Sequence, residues 1–139
     1  MPNVPVRMGD SIGEIADAYR LLRTPDEFPG GRYCVMEEPA FRDILLITDA
    51  LESDLSRSKV EGIQLKRGAL HGLVIGNTTQ SDWRSLLGKP LETVKMTENM
   101  AYDYRLPEGE YDIYHFGSHE LRLHADESGM LCAIQLCNQ

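Results

Sequence analysis

One short arrangement occurs twice in the sequence: a largely apolar tripeptide, then a glycine, then an amphipathic segment. Val6-Arg7-Met8-Gly9 precedes the first segment and Leu73-Val74-Ile75-Gly76 precedes the second, 67 residues later. Ile63-Gln64-Leu65 recurs as Ile134-Gln135-Leu136 after 71 residues. A period near 70 residues with a drifting register is typical of a duplicated unit whose loops have since changed. The predicted units are residues 6–66 and 73–137 of a single compact domain spanning 1–139.

Each amphipathic segment predicts a helix, and the residues after it predict strands. Apolar residues recur at helical spacing over 11–23, and Thr79 to Gly88 carries a cap, an apolar face and a glycine stop. Counted from the two glycines, Ile12 is level with Thr79, and Ala16 with Trp83. Alternating apolar and polar residues between turn residues predict antiparallel strands. They are 32–36, 43–48 and 60–66 in the first half, and 100–106, 111–116, 119–124 and 130–137 in the second. The predicted fold class is α+β, two tandem helix-plus-antiparallel-sheet units.

The second helix and its flanks resemble a known family. Gly76-Asn77-Thr78-Thr79, leading through Trp83 to Leu87-Gly88-Lys89-Pro90, is similar to a signature of the β-lactamase-inhibitor-protein superfamily. The related small lipoprotein of the outer-membrane assembly machinery shares it. The resemblance covers 76–136 well, whereas Gly9 to Leu22 keeps only the start of the pattern.

This resemblance implies β-lactamase-inhibitor-protein-like units whose concave sheet or loops grip another protein, and it implies no enzyme. The chain lacks the signal peptide, the lipidation cysteine and the paired cysteines of the exported members. We therefore expect a cytoplasmic protein. By analogy of size, charge and fold, such a protein resembles the immunity proteins that bacteria hold against toxins.

The acidic balance of the chain narrows the class of partner. The net charge is −8, which argues against nucleic acid because affinity for phosphates comes largely from Lys and Arg. Residues 98–128 carry eight acids against two bases, whereas 1–97 carry fourteen against twelve. Apolar runs such as Ile44 to Ile47 are far shorter than the ~20 residues of a membrane helix. We expect a basic protein partner, and neither a nucleic acid nor a membrane.

No group of residues predicts catalysis or a bound cofactor. His115, His119 and His124 have a metal-like spacing, but a turn at 117–118 separates the first two; a hairpin that brings them together would leave a metal site open. Ser11 stands in a G-x-S-x-G string, where it is better explained as a helix cap. The three cysteines include no CxxC. We predict no catalytic residue, no metal and no cofactor, and an enzyme is the third-ranked alternative.

The acidic second half supplies the predicted binding residues. Carboxylates there would steer a basic partner, and tyrosines would anchor it, although tyrosines at these positions also suit core packing. The predicted partner-binding residues are Asp103, Glu108, Glu110, Asp112, Tyr111 and Tyr114. The predicted function is an immunity protein that neutralises a cognate basic toxin domain; the alternative is a non-catalytic scaffold or assembly factor of the same fold.

Overall fold

The structure is a computed structural model that describes residues 7–19, 26–28, 31–35, 44–48, 58–70, 72–117 and 119–138. Its strands pair antiparallel and outnumber its helices, so the α+β class is confirmed. The chain divides between Leu65 and Lys66 into two compact units, called here the N-unit and the C-unit. No helix within the described ranges is long and apolar enough to cross a membrane.

The N-unit consists of one helix and four strands. They are α1 (Ile12–Tyr19), β1 (Asp26–Phe28), β2 (Gly31–Val35), β3 (Ile44–Thr48) and β4 (Val60–Leu65), and the strands are neighbours in that order. The strands predicted at 32–36, 43–48 and 60–66 are confirmed over the described residues. The described part of the first predicted helix ends at Tyr19, and 20–23 lie outside the described residues. All five residues of β3 are buried, as expected for a strand between two others.

The start of α1 is tied to the start of β4 by backbone hydrogen bonds. Gly9 N donates to Val60 O at 2.8 Å, Val60 N donates to Asp10 O at 2.9 Å, and Ile12 N donates to Ser58 O at 2.9 Å. Gly9 has a φ of +87°, a conformation that a residue with a Cβ rarely adopts. These bonds fix the helix where the Ile12 side chain is 1% exposed.

The C-unit opens with a small hairpin and continues into two helices and a four-stranded sheet. Its elements are β5 (Ala69–Leu70), β6 (Leu73–Val74), α2 (Gln80–Leu87), β7 (Glu92–Lys95), α3 (Glu98–Tyr104), β8 (Gly109–Phe116), β9 (His119–Asp126) and β10 (Leu131–Asn138). The sheet order is β7-β8-β9-β10, a meander in sequence order. The predicted strands 111–116, 119–124 and 130–137 are confirmed with small changes at their ends.

The second helix begins as the sequence predicts. Thr79 accepts a hydrogen bond from the Asp82 backbone N–H, and Asp82 accepts one from the Thr79 N–H, which completes a capping box. Gly76 N donates to Leu131 O at 2.9 Å and Gln80 N donates to Gly129 O at 2.8 Å. The helix start is therefore tied to the β9–β10 hairpin, and its Trp83 side chain is fully buried.

The strand predicted at 100–106 is wrong, because this segment forms α3. Thr97 caps the helix by accepting from Met100 N at 3.1 Å. Two bonds, from Arg105 N to Tyr102 O and from Leu106 N to Ala101 O, close its end as a Schellman motif. Burial here is the reverse of what the predicted strand implied, since Ala101 is buried and Tyr102 is 85% exposed.

The first strand of the C-unit sheet is instead β7, which the sequence analysis missed. Its four residues pair with β8 in register, from Glu92 with Ile113 to Lys95 with Glu110. Side chains of a strand alternate between faces, so β8 contributes to two apolar layers. One layer contains Trp83 and Leu123 beside α2, and the other contains Ala101 and Ile113 beside α3.

Candidate functional site

The Asp112 side chain is an interior carboxylate that joins three elements of the C-unit. Its side chain has no exposed surface. Oδ2 accepts from Trp83 Nε1 and from Arg84 Nε, both at 2.8 Å. Oδ1 accepts from Arg84 Nη2 at 2.9 Å and from Thr93 Oγ1 at 2.6 Å. This carboxylate therefore fastens α2 and β7 to β8.

The hydrogen bonds around Asp112 keep it ionised. Burial alone would raise its pKa, but the bonds from Arg84, Thr93 and Trp83 outweigh burial and leave the pKa below its ordinary value. The same pairing raises the pKa of Arg84. The Asp112 side chain, which was predicted to contact a partner, is thus buried among hydrogen-bond donors of its own chain.

The two predicted anchor tyrosines are interior residues as well. Tyr114 is 8% exposed and its hydroxyl donates to Gly88 O at 2.9 Å. Tyr111 is 5% exposed; its ring lies 4.9 Å from the His124 ring, and the Arg122 guanidinium lies 5.2 Å from its centroid. Both residues, which were predicted to contact a partner, pack on opposite faces of the sheet and expose little of their side chains.

The other two predicted glutamates lie together in a groove. Its volume is about 580 Å³. It is lined by Gln80, Lys95, Met96, Glu108, Gly109, Glu110, Asp126, Glu127 and Gly129, and is called here the acidic groove. Four of these residues are acids and one is basic. Asp103 lies in α3, and the prediction for its side chain lies outside the described residues.

The four carboxylates of the acidic groove differ in what they already bind. Glu110 accepts from Gln80 Nε2 at 2.8 Å and lies 3.8 Å from Arg84. Asp126 accepts from Ser128 Oγ at 2.6 Å and from two backbone N–H groups of its turn, and these bonds lower its pKa. Glu108 and Glu127 are exposed and have no bond to any side chain that the structure describes. These two carry the negative charge that the groove offers outward.

Gly109 sets the shape of the acidic groove where β8 begins. A Cβ at this position would clash with Ala125 O on β9, so only glycine lets the two backbones approach this closely. Its place at the start of the strand is what brings Glu108 and Glu110 beside Asp126.

A second concavity lies at the other end of β7. Its volume is about 410 Å³. It is lined by Arg84, Gly88, Lys89, Pro90, Leu91, Glu92 and Thr93, and is called here the Leu91 pocket. Leu86 and Leu91 are each 64% exposed, and Leu87 is 41% exposed. The LG-x-P ending of α2 therefore presents apolar surface to solvent.

The histidine and cysteine side chains do not form a metal centre in the described part of the chain. His115 pairs with Glu120 and His119 pairs with Phe116, which places the two histidines on opposite faces of the β8–β9 hairpin. Among the described residues, no three His, Cys, Asp or Glu side chains lie close enough to hold a metal ion. Burial raises the pKa of Cys132 to about 11, so its thiol is protonated at neutral pH.

Gln80, Lys95, Asp126 and Glu127 line the acidic groove but were not among the predicted site residues. The matched glycines could have indicated these residues. They predict that the start of α2 is bonded to the β9–β10 hairpin, which places residues of that hairpin beside Gln80. Lys95 belongs to β7, which has too few apolar residues to be recognised as a strand.

Comparisons with known proteins inform the fold and nothing further. No protein-family model and no curated protein matches the sequence. Among solved structures, a DUF4309 family protein (YjgB) from Bacillus subtilis is similar, with a TM-score of 0.63 and 12% sequence identity. The match covers 94% of this chain and 79% of that one. At this level of identity, the likeness shows that the two chains share a fold.

Proposed function

We propose that the chain is a non-catalytic protein-binding module whose acidic groove takes a basic segment of a partner protein. The observation that carries the proposal is that Glu108 and Glu127 line the same concave surface. Both are exposed, and neither has a basic partner among the described side chains. Charges arranged in this way raise the association rate of an oppositely charged partner.

The buried side chains support a rigid rather than an adaptable groove. The Asp112 carboxylate fixes α2 against β7 and β8, and Gly109 fixes β8 against β9. A surface that is already ordered loses little conformational entropy when it binds. Asp112 does not line the groove, and it acts as a positioning residue for the elements that do.

We also propose that the N-unit and the C-unit are tandem copies with the β-lactamase-inhibitor-protein-like arrangement. Matching backbone bonds support this: Gly9 to Val60 in one unit corresponds to Gly76 to Leu131 in the other. Ser11 bridges to Lys59 as Thr79 bridges to Met130.

A shared irregularity in the strands supports the same proposal. The β3–β4 ladder shifts register at Glu61, between the partners of Ile47 and Thr48, and the β9–β10 ladder shifts at Cys132, 71 positions later. The matching backbone bonds and bridges favour a helix register in which Ser11 is level with Thr79 and Ile15 with Trp83. The reason is that the C-unit has one more residue between its glycine and its helix. Counting from the glycines alone misses that residue.

Within this class of function, an immunity protein against a basic toxin domain fits the charge best. The net charge of −8 is concentrated in 98–128, and the groove residues Glu108, Glu110, Asp126 and Glu127 all come from that segment. Occlusion of a basic active surface needs a charged, preorganised concavity and no chemistry. The proposed compartment is the cytoplasm, where a producing cell would need the inhibitor.

Neutralising the exposed acids tests the proposal. The expected partner is a basic toxin-like protein encoded beside this gene, and Glu108→Gln with Glu127→Gln should slow association with such a protein by roughly tenfold at low salt. The same change should abolish rescue of growth when the two proteins are produced together. Surface plasmon resonance between about 20 and 200 mM NaCl gives the association rate, which should fall as screening increases.

The matched control is Glu14→Gln with Glu61→Gln, which removes the same charge from exposed positions outside the groove. That variant should associate nearly as fast as the natural chain. If both double variants slow association equally, only net charge matters and the groove is not the binding surface. If the natural chain does not bind the toxin-like protein, the immunity role is wrong.

A scaffold or assembly factor is the second candidate, and the Leu91 pocket favours it. Exposed Leu86, Leu87 and Leu91 form apolar surface at the opposite end of β7 from the acidic groove. A chain with two separate docking surfaces could hold two partners at once. Sequential binding of two proteins in a pull-down, each lost with a different surface variant, would favour this role.

A further inference from the structure

The strand β7 is the outer strand of the C-unit sheet, and its free edge joins the two concavities. Only β8 pairs with it among the described residues. Glu92, Thr93 and Lys95 are exposed. The Leu91 pocket begins at its first residues, and the acidic groove begins at its last.

The register shows which backbone groups of β7 remain available. Met96 N donates to Gly109 O at 2.8 Å, and Val94 pairs with Tyr111 two residues earlier. In an antiparallel ladder, residues that exchange backbone bonds alternate with residues that do not. Thr93 and Lys95 therefore point their N–H and C=O groups away from β8. No described residue bonds these four groups.

Two side chains along this edge share one direction. Thr93 and Lys95 lie on the face of α2, where Thr93 pairs with Asp112 and Lys95 pairs with Glu110. Leu91 precedes β7 and its N–H donates to Ile113 O at 2.8 Å, so the regular alternation is interrupted there, and Thr93 is the residue of this face that lines the Leu91 pocket. From Leu91 to Lys95 the chain rises about 13 Å at the usual spacing. One extended segment along the edge can therefore reach the Leu91 pocket and the acidic groove with side chains four residues apart.

We propose that β7 is the docking edge for an extended basic segment of the partner protein, which adds to it as an antiparallel strand. Its N-terminal basic side chains enter the acidic groove, and an apolar side chain about four residues later enters the Leu91 pocket. The backbone groups of Thr93 and Lys95 supply the main-chain bonds. This inference rests on the proposed function and names how that groove is used.

Charge favours this occupant over a second copy of the chain. Two copies joined at β7 would bring together two acidic grooves from chains of net charge −8. The shortness of β7 and the presence of Lys95 are also features that disfavour uncontrolled pairing of identical edges. A basic strand meets the opposite sign at one end and apolar surface at the other.

The test uses a capped octapeptide in which lysine, arginine, valine and leucine, in that order, alternate with threonine. On binding, the amide protons of Thr93 and Lys95 should exchange at least roughly tenfold more slowly, while those of Glu92 and Val94 are unchanged. Methylating the backbone nitrogens of arginine and valine should abolish binding. Methylating those of the neighbouring threonines should not, because they face away from β7.

Two variants at one position separate the edge from the charge. Lys95→Pro removes an outward N–H without breaking the ladder to β8 and should weaken peptide binding at least roughly tenfold. Lys95→Thr removes the same charge, keeps the N–H, and should bind at least as tightly as the natural chain. Equal binding by the two variants, with the exchange pattern of β8 preserved, overturns the proposal.

Further outcomes distinguish the edge from the groove. If the octapeptide fails to bind at about 1 mM while octalysine binds and loses affinity with Glu108→Gln and Glu127→Gln, the edge proposal falls and the proposed function stands. If both peptides fail, the proposed function falls too. A dimer of the chain alone that Lys95→Pro abolishes in sedimentation would assign the edge to a second copy and overturn the proposal.

Discussion

Asp112 and His124 are two polar side chains in the interior of the C-unit sheet, on opposite faces. Asp112 is charged and receives donors from α2 and β7. His124 is 2% exposed, lies against the Tyr111 ring and is kept neutral. Burial, with a further contribution from Arg122, lowers the pKa of His124 to about 3. Asp112 is ionised and accepts several hydrogen bonds, whereas His124 is neutral and lies near the Arg122 charge. The two residues are therefore expected to respond differently to substitution and to acid.

Replacing Asp112 with asparagine should lower the free energy of unfolding by about 2–3 kcal/mol, because the amide nitrogen cannot accept the hydrogen bonds that one carboxylate oxygen accepts. Urea unfolding measures the change. Glu108→Gln, an exposed acid close in sequence, should stay within about 0.5 kcal/mol of the natural chain. A loss below about 1 kcal/mol for Asp112→Asn would mean that solvent reaches this carboxylate.

Acid should destabilise the chain through His124. The unfolded chain protonates this histidine below pH 6.5, whereas the folded chain does so only near pH 3. The unfolded state therefore binds more protons between these values, and stability falls by about 1.4 kcal/mol for each pH unit below 6.5. Between pH 7 and pH 5 the expected loss is about 2 kcal/mol.

Unfolding in urea at the two pH values measures this loss. His124→Gln should remove most of the pH dependence, whatever it does to stability at pH 7. His115→Gln, at an exposed position of the neighbouring strand, should retain it. An unchanged pH dependence in His124→Gln would show that another group controls acid unfolding.

At the level of elements, local sequence predicts α2 and the long strands well and fails at 92–106. The N-cap at Thr79 and the C-cap at Gly88 depend only on residues nearby in the sequence, so both can be recognised from the sequence. The helix α3 is not, because Tyr102 and Tyr104 alternate with polar residues as in a strand. Its helical state depends on the Thr97 cap and on the burial of Ala101 by the sheet. The acidic groove was missed in part for the same reason, since it needs β7 in place.

The end of α3 gives a stabilising substitution. Arg105 has a φ of +57° and a ψ of +42°, a left-handed conformation that carries a penalty of about 1 kcal/mol for a residue with a Cβ. Arg105→Gly should therefore raise the free energy of unfolding by about 1 kcal/mol. Arg105→Ala keeps the Cβ and serves as the control; thermal unfolding should show no gain for it. A gain in both would assign the effect to the lost charge.

At the scale of the whole molecule, the two proposed copies share a backbone plan but differ in how charge is distributed along them. Val60 and Leu131 receive the same bond from a glycine. In the C-unit, however, eight acids and two bases lie in 98–128, whereas 66–97 carries two acids and five bases. If the units are copies, the plan was kept where backbones meet and the surface of one copy became a binding site. Sequence alone indicates such a plan through its glycines, and not which copy binds.

Equivalent glycines should have equivalent energetic roles. Gly9 and Gly76 have φ values of +87° and +85°, and an added Cβ would meet nothing within 4 Å at either position. Gly9→Ala and Gly76→Ala should each lower the free energy of unfolding by about 1–2 kcal/mol, from backbone strain alone. Urea unfolding compares the two variants. A loss confined to one of them would contradict the proposed duplication.

The bond from Gly76 to Leu131 also has a consequence for the order in which the C-unit is assembled. The cap of α2 involves neighbouring residues only and can form early. The backbone acceptors that hold the start of α2, Gly129 O and Leu131 O, are in place only after the β9–β10 hairpin has formed. Contacts between residues so distant in the chain form slowly, because the loop between them loses entropy before any bond is made. Refolding of the C-unit is therefore expected to take milliseconds to seconds, with α2 docking last.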